Sequence, residues 1–254
     1  MKIILFIILI IILSTNLHSR SIGETEITTE EGIEVFQKEK YYLLKKNVKI
    51  LSDNFELTGD QVKIFFDKDL YDIKIINAEG NVELESKKYQ VYAKGNKLIF
   101  KMKNEEINIF GLNSELLTND TNMYSDGEIK VKNLSGEFYI FGPNSKLSSQ
   151  NIFIDGDKIE GSFETLGDTK DIIFLDVVDN EIAYIKNQDT EMYGKNINYN
   201  KENSLIIIEE NVKIIRDGET ITGDYGTLDT KNNSYKVKSK NSKKVKVIIL
   251  NTDE

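Results

Sequence analysis

The 254-residue chain contains no Cys and no Trp, one Pro, three Ala and a single His at position 18. Without Cys there can be no disulfide framework, thiolate nucleophile or Cys-rich zinc site. If a leader containing His18 is removed, no imidazole remains for acid–base catalysis, a Ser-His-Asp triad or ordinary transition-metal ligation. The scarcity of Ala, set against 36 Ile, disfavours helices and favours strands. One Pro and 16 Gly are too few for a disordered or collagen-like chain. Guanidinium groups are scarce as well: the only Arg are Arg20 and Arg216.

Met1-Lys2 leads into an unbroken apolar run from Ile3 to Leu13, and small residues Ser19 and Ser21 follow it. This pattern predicts a signal peptide over 1–21, cleaved after Ser21. As a helix the run would reach only about 16 Å, roughly half of a hydrocarbon core. An uncleaved anchor is the alternative. No Cys follows the run, which excludes lipid attachment there, and no second run approaches spanning length. Loss of 1–21 would take Lys+Arg from 33 to 31 against 42 Asp+Glu, moving the net charge from −9 to −11. So acidic a chain, with one remaining Arg, is a poor partner for nucleic acid and a poor phosphate clamp.

Internal repetition is the next signal. Asn47-Val48-Lys49-Ile50, then Leu57-Thr58-Gly59-Asp60, returns as Asn211-Val212-Lys213-Ile214, then Ile221-Thr222-Gly223-Asp224. Asn81-Val82-Glu83-Leu84 followed by Val91-Tyr92-Ala93-Lys94 is a weaker copy. Generalised, the small residue recurs at 29, 59, 93, 125, 161, 194 and 223, at intervals of 29 to 36 residues. Between these marks the apolar period is two, as in Val82/Leu84 and Leu98/Phe100, so the tiers are half-buried strands. Polar turns such as Asp67-Lys68-Asp69, Lys103-Asn104-Glu105 and Asp229 to Asn233 separate them. The apolar parity switches after Leu57, Val91, Met192 and Ile221, which predicts a bend or bulge at Gly59, Ala93, Gly194 and Gly223. Residues 22–254 therefore read as one elongated β-domain of about seven tiers, a β-sandwich or jelly roll.

With these motifs the chain resembles the OstA-like (LptA) family of lipopolysaccharide-transport proteins. The resemblance rests on Leu57-Thr58-Gly59-Asp60, Glu79-Gly80-Asn81-Val82, and the stretch from Glu210-Asn211-Val212 through Thr222-Gly223-Asp224 to Leu250. It covers about 22–100 and 180–250 and is poor over 105–180. It implies an all-β, elongated, open β-jelly roll of stacked antiparallel strands. It also implies a non-enzymatic periplasmic carrier or bridge that shields lipid A acyl chains of lipopolysaccharide in an apolar trough. The implied partners are LptC-like inner-membrane and LptD-like outer-membrane components, and a further copy of the chain joined head to tail. No cofactor is implied.

The inward positions available to line such a trough are Val48, Ile50, Leu57, Ile64, Phe66, Leu84, Val91, Phe100, Ile214 and Ile221. From the residues alone, these fit a closed core as well as a trough. Glu24, Glu26, Glu30, Glu31 and Glu34 crowd one end, and Lys231, Lys236, Lys238, Lys240, Lys243, Lys244 and Lys246 the other. They are either solvated edges or a complementary strand-to-strand contact. Competing functions are an LptC-like membrane-anchored partner, an exported structural filament and a polysaccharide-acting enzyme. For the last, Asp155-Gly156-Asp157 and the Asp168 to Asp171 segment offer only turn-forming carboxylates.

Overall fold

The computed structural model describes residues 23–68, 72–88, 90–166, 169–239 and 244–249. The signal segment expected at 1–21, Asp69, Asp168, Lys240 and Lys243 lie outside them. The chain is nearly all strand, with one 3-10 turn at Met102–Asn104 among the described residues. Two short strands, β1 (Glu26–Thr28) and β2 (Ile33–Phe36), lead into four long ones. These are β3 (Tyr41–Leu51), β4 (Glu56–Phe66), β5 (Ile73–Ser86) and β6 (Val91–Lys101). The middle uses shorter pieces: β7 (Glu106–Phe110), β8 (Ser114–Leu117), β9 (Thr121–Ser125) and β10 (Glu128–Lys132). It continues with β11 (Glu137–Phe141), β12 (Lys146–Ser149), β13 (Ile152–Asp155) and β14 (Lys158–Leu166). Long strands then return as β15 (Thr169–Asn187), β16 (Thr190–Asn200), β17 (Leu205–Arg216) and β18 (Glu219–Asp229). The short β19 (Ser234–Lys238) and β20 (Lys246–Ile249) close the stack.

All pairings are antiparallel and join the strands into one sheet that folds over on itself. Each long strand bends near its middle, so one half lies in each of two facing layers. Layer I runs from β2 through half-strands of β3–β6, then β7, β10, β11 and β14, to half-strands of β15–β18 and β19. Layer II runs from β1 through the other half-strands, with β8, β9, β12 and β13 in the middle, to β20. The chain passes between layers along one long edge, a spine. At the opposite edge each layer has its own hairpin turns, and among the described residues no strand closes it. We call that edge the mouth.

The spine explains the repeated Asn. Asn47, Asn81, Asn113, Asn144 and Asn211 all have positive φ (46–58°) where the chain changes layer. Asn tolerates this left-handed backbone far better than a β-branched residue does. Acidic residues of adjacent rungs tie several of these corners together. Asn81 Nδ2 donates to Asp60 at 3.2 Å, and Asp126 accepts from the Asn113 N–H at 2.9 Å and from Asn144 Nδ2 at 2.6 Å. Asp157 likewise accepts from the N–H and Nδ2 of Asn180 at 3.1 and 2.6 Å. The first of these contacts holds together a corner where Gly80, at φ 76°, has no room for a Cβ beside Asp60.

Inward residues next to the spine are fully buried, including Leu57, Val62, Leu98, Ile109, Ile140 and Ile154. Each such aliphatic side chain contributes about 1.5–3 kcal/mol by leaving water, and the set forms one continuous core.

Candidate functional site

Seven of the ten inward residues proposed to line a trough are buried in that core. Val48, Ile50, Leu57, Leu84 and Ile214 come from layer II, and Ile64 and Phe66 from layer I. All seven belong to the one continuous core, and within layer I the rings of Tyr42 and Phe66 are in contact at 5.2 Å between centroids. Val91, Phe100 and Ile221 are only half-buried and lie toward the mouth.

Three of the bend positions lie where the pairing register shifts. Gly59 pairs with Val48, Gly194 with Ala183 and Gly223 with Val212, each beside an interruption of the ladder. Ala93 does not. It pairs regularly with Leu84 and is a buried core residue of layer II. The corner of β6 is Gly95, opposite Val82, where a Cβ would come within 2.5 Å of Ile109 Cγ2. The alignment of this weak copy is therefore displaced by two residues, because Ala93-Lys94 mimics the small-polar pair that Gly95-Asn96 supplies. The corner before β14 is similarly Gly156-Asp157 and not Gly161, which pairs with Phe138 inside layer I.

The mouth carries the residues that sequence reasoning missed. Phe55 and Ile152 on the layer II lip, and Ile73, Met102 and Val131 on the layer I lip, join Val91 and Phe100 as half-buried apolar side chains. Each is the last inward residue before or after a polar turn, a signal readable in the sequence once the turns are placed. Beneath the layer II lip, Ser86, Thr121, Ser149 and Thr190 are buried. The Thr121 hydroxyl donates to Ser149 at 3.2 Å and the Ser86 hydroxyl to the Asn54 carbonyl at 2.6 Å.

Polar bridges cross the mouth in its C-terminal half. Arg216 Nη1 in layer II donates to the Asn233 carbonyl of a layer I turn at 2.9 Å. The Tyr235 hydroxyl of β19 donates to Glu219 of β18 at 2.8 Å, a contact that, with burial, holds the phenol pKa above its ordinary value. In the middle, Gln150 Nε2 reaches Asp171 at 3.2 Å. The lips thus meet through side-chain hydrogen bonds, whereas the spine is covalent. Along the stacked sheet the seam combines a half-buried apolar rim with a few polar bridges.

The family signature agrees with this architecture where it can be read. Residues 27–137 match the family described as LptA/(LptD N-terminal domain) LPS transport protein. The match covers somewhat less than half of the chain. It spans β1 through the start of β11, and so includes rungs of both layers and the N-terminal half of the mouth. The resemblance read from Gly59-Asp60 and Asn81-Val82 falls within it. Among solved structures the chain is similar to LptH of Pseudomonas aeruginosa, titled the LptA homologous periplasmic component of the conserved lipopolysaccharide transport device. Identity is 11%, coverage is 90% of this chain and 96% of that one, and the TM-score is 0.23. No curated protein matches. No helix among the described residues is long and apolar enough to cross a membrane.

Proposed function

We propose that the chain is a non-enzymatic carrier of lipopolysaccharide in the periplasm, with lipid A acyl chains inserted between the lips of the mouth. The carrying observation is the half-buried apolar rim formed by Phe55, Ile73, Val91, Phe100, Met102 and Val131. Beyond what they bury in the core, these side chains leave apolar surface at an edge open to water, which a cargo can cover. An acyl chain gains about 0.8 kcal/mol for each CH₂ it buries. The spine fixes the layers on one side, and only side-chain bridges join them on the other. Acyl chains can therefore wedge the lips apart without breaking the strand ladder, while sugars and phosphates stay outside. The chain's negative charge gives the headgroup no strong grip, which suits a carrier that must release its load.

The ends fit a chain of such carriers. Ile33 and Val35 at one end, and Val247, Ile248 and Ile249 at the other, are 46–61% exposed on strands that each pair with one neighbour among the described residues. Glu24 and Glu26 flank the first edge, and Lys236, Lys238, Lys244 and Lys246 the second. Head-to-tail strand addition between copies, or to LptC-like and LptD-like partners in the two membranes, would cover both edges with matching charge. The test is mass spectrometry of protein purified from the periplasm without detergent. Co-purifying lipid A-bearing lipid supports the reading. Protein that stays lipid-free after incubation with lipopolysaccharide overturns it.

A further inference from the structure

A second surface on the molecule has chemistry that lipid carriage does not use. On the outer face of layer I, β10, β11, β14 and β15 enclose an open groove of about 580 Å³, on the side away from the core. Four strands at ~4.8 Å spacing make it about 14 Å across. Aromatic side chains stand on this face where most outward positions are charged. Tyr139 and Phe174 line the groove, Phe174 being 40% exposed; beside it Phe141, 50% exposed, lays its ring nearly parallel to that of Tyr139, at 13° with centroids 6.0 Å apart.

Charge is balanced around these rings. Lys132 pairs with Glu137 at 2.6 Å and Lys158 with Glu160 at 3.0 Å. Lys130, the cross-strand neighbour of Tyr139, reaches the buried carboxylate of Glu106 at 3.4 Å, which Lys101 also holds at 2.9 Å. The groove therefore presents donors and acceptors in alternation with no net field to attract a polyanion.

We propose that this groove binds an oligosaccharide. Exposed ring faces carry negative charge density that suits the C–H-rich face of a sugar. The interleaved Lys, Glu and amide groups match its hydroxyls, and the width suits a short oligomer rather than one sugar. A protein partner would call for a continuous apolar patch, which the ion pairs interrupt. The site is independent of the mouth and of the lipid reading.

Calorimetric titration with two probes tests it: chitohexaose, and a phosphate-bearing core oligosaccharide freed of lipid A. The full chain binds at least one probe, and the probe that binds distinguishes a wall-type glycan from the sugar portion of a lipid. Loss of both exposed rings in the F141A/F174A variant weakens binding by about tenfold or more, with the thermal midpoint unchanged. F100A, at the mouth, leaves it intact, so failure here and failure of lipid carriage are distinguishable. Absence of binding to either probe overturns the proposal, as does equal binding by F141A/F174A. So does self-association that the double variant abolishes, since the face would then belong to a second copy.

Discussion

Gly95→Ala and Gly59→Ala place the same extra methyl at equivalent corners, yet the structure predicts opposite outcomes. At Gly95 the new Cβ lies 2.5 Å from Ile109 Cγ2, 3.1 Å from the Phe110 carbonyl and 3.3 Å from Ser114 Oγ. Ile109 is fully buried and the carbonyl belongs to a paired strand, so neither can yield cheaply. Overpacking of this kind costs about 1–3 kcal/mol. For a domain of this size each kcal/mol lowers Tm by about 2–4 °C. At Gly59 the nearest atoms are the carbonyls of Glu79 and Gly80 and Val82 Cγ2, all at 3.6 Å, an ordinary contact. Neither glycine has positive φ, so Ala strains neither backbone. Gly59→Ala should then be neutral, or stabilising by up to about 1 kcal/mol through the unfolded chain. Urea and thermal unfolding followed by circular dichroism measure both variants. A neutral G95A beside a strongly destabilised G59A would refute the corner assignment.

Other expectations follow from side chains on the spine, lips and outer face. Asp126 is held below its ordinary pKa of 3.8 by the Asn113 N–H, Asn144 and Tyr124. Its stabilisation is present above 3.8 and lost as pH falls through the lower folded value, so D126N should flatten the acid limb of a Tm-versus-pH profile. Burial, and then its hydrogen bond to Glu191, pushes the Tyr193 phenol up to about 12. That stabilisation is complete below 10 and lost as pH rises through about 12; ultraviolet titration should show a phenol ionising at about 12 that Y193F removes. Tyr235→Phe removes a bridge across the mouth worth about 1 kcal/mol and should speed amide exchange in β19 more than in β4.

Much of the stack is legible in the sequence because its constraints are local. Period-two alternation marks the long strands, and the Asn-Val pairs at 47, 81 and 211 mark corners that need a left-handed residue. The equivalent Asn113 and Asn144 escape notice for a physical reason. In the middle the rungs split into separate short strands, and loops such as Gly111–Asn113 and Gly142–Ser145 break the string that carries the pattern. Ala93 misleads because a small buried residue two positions from the corner resembles the corner itself. The lips were hardest to read. Inward parity identifies Leu57 and Phe100 alike, and only the fold shows that one is core and the other rim. The crossings by Arg216, Tyr235 and Gln150 depend on contacts between layers that no local pattern encodes.

The central claim is that acyl chains enter at the mouth and nowhere else. Photocrosslinking amino acids at Val91, Phe100 and Met102 on the rim, and at Phe141 on the outer face, test it in cells that make lipopolysaccharide. The account predicts lipid adducts at the three rim positions and none at Phe141. Equal adducts at Phe141, or none on the rim in a folded protein, would contradict it.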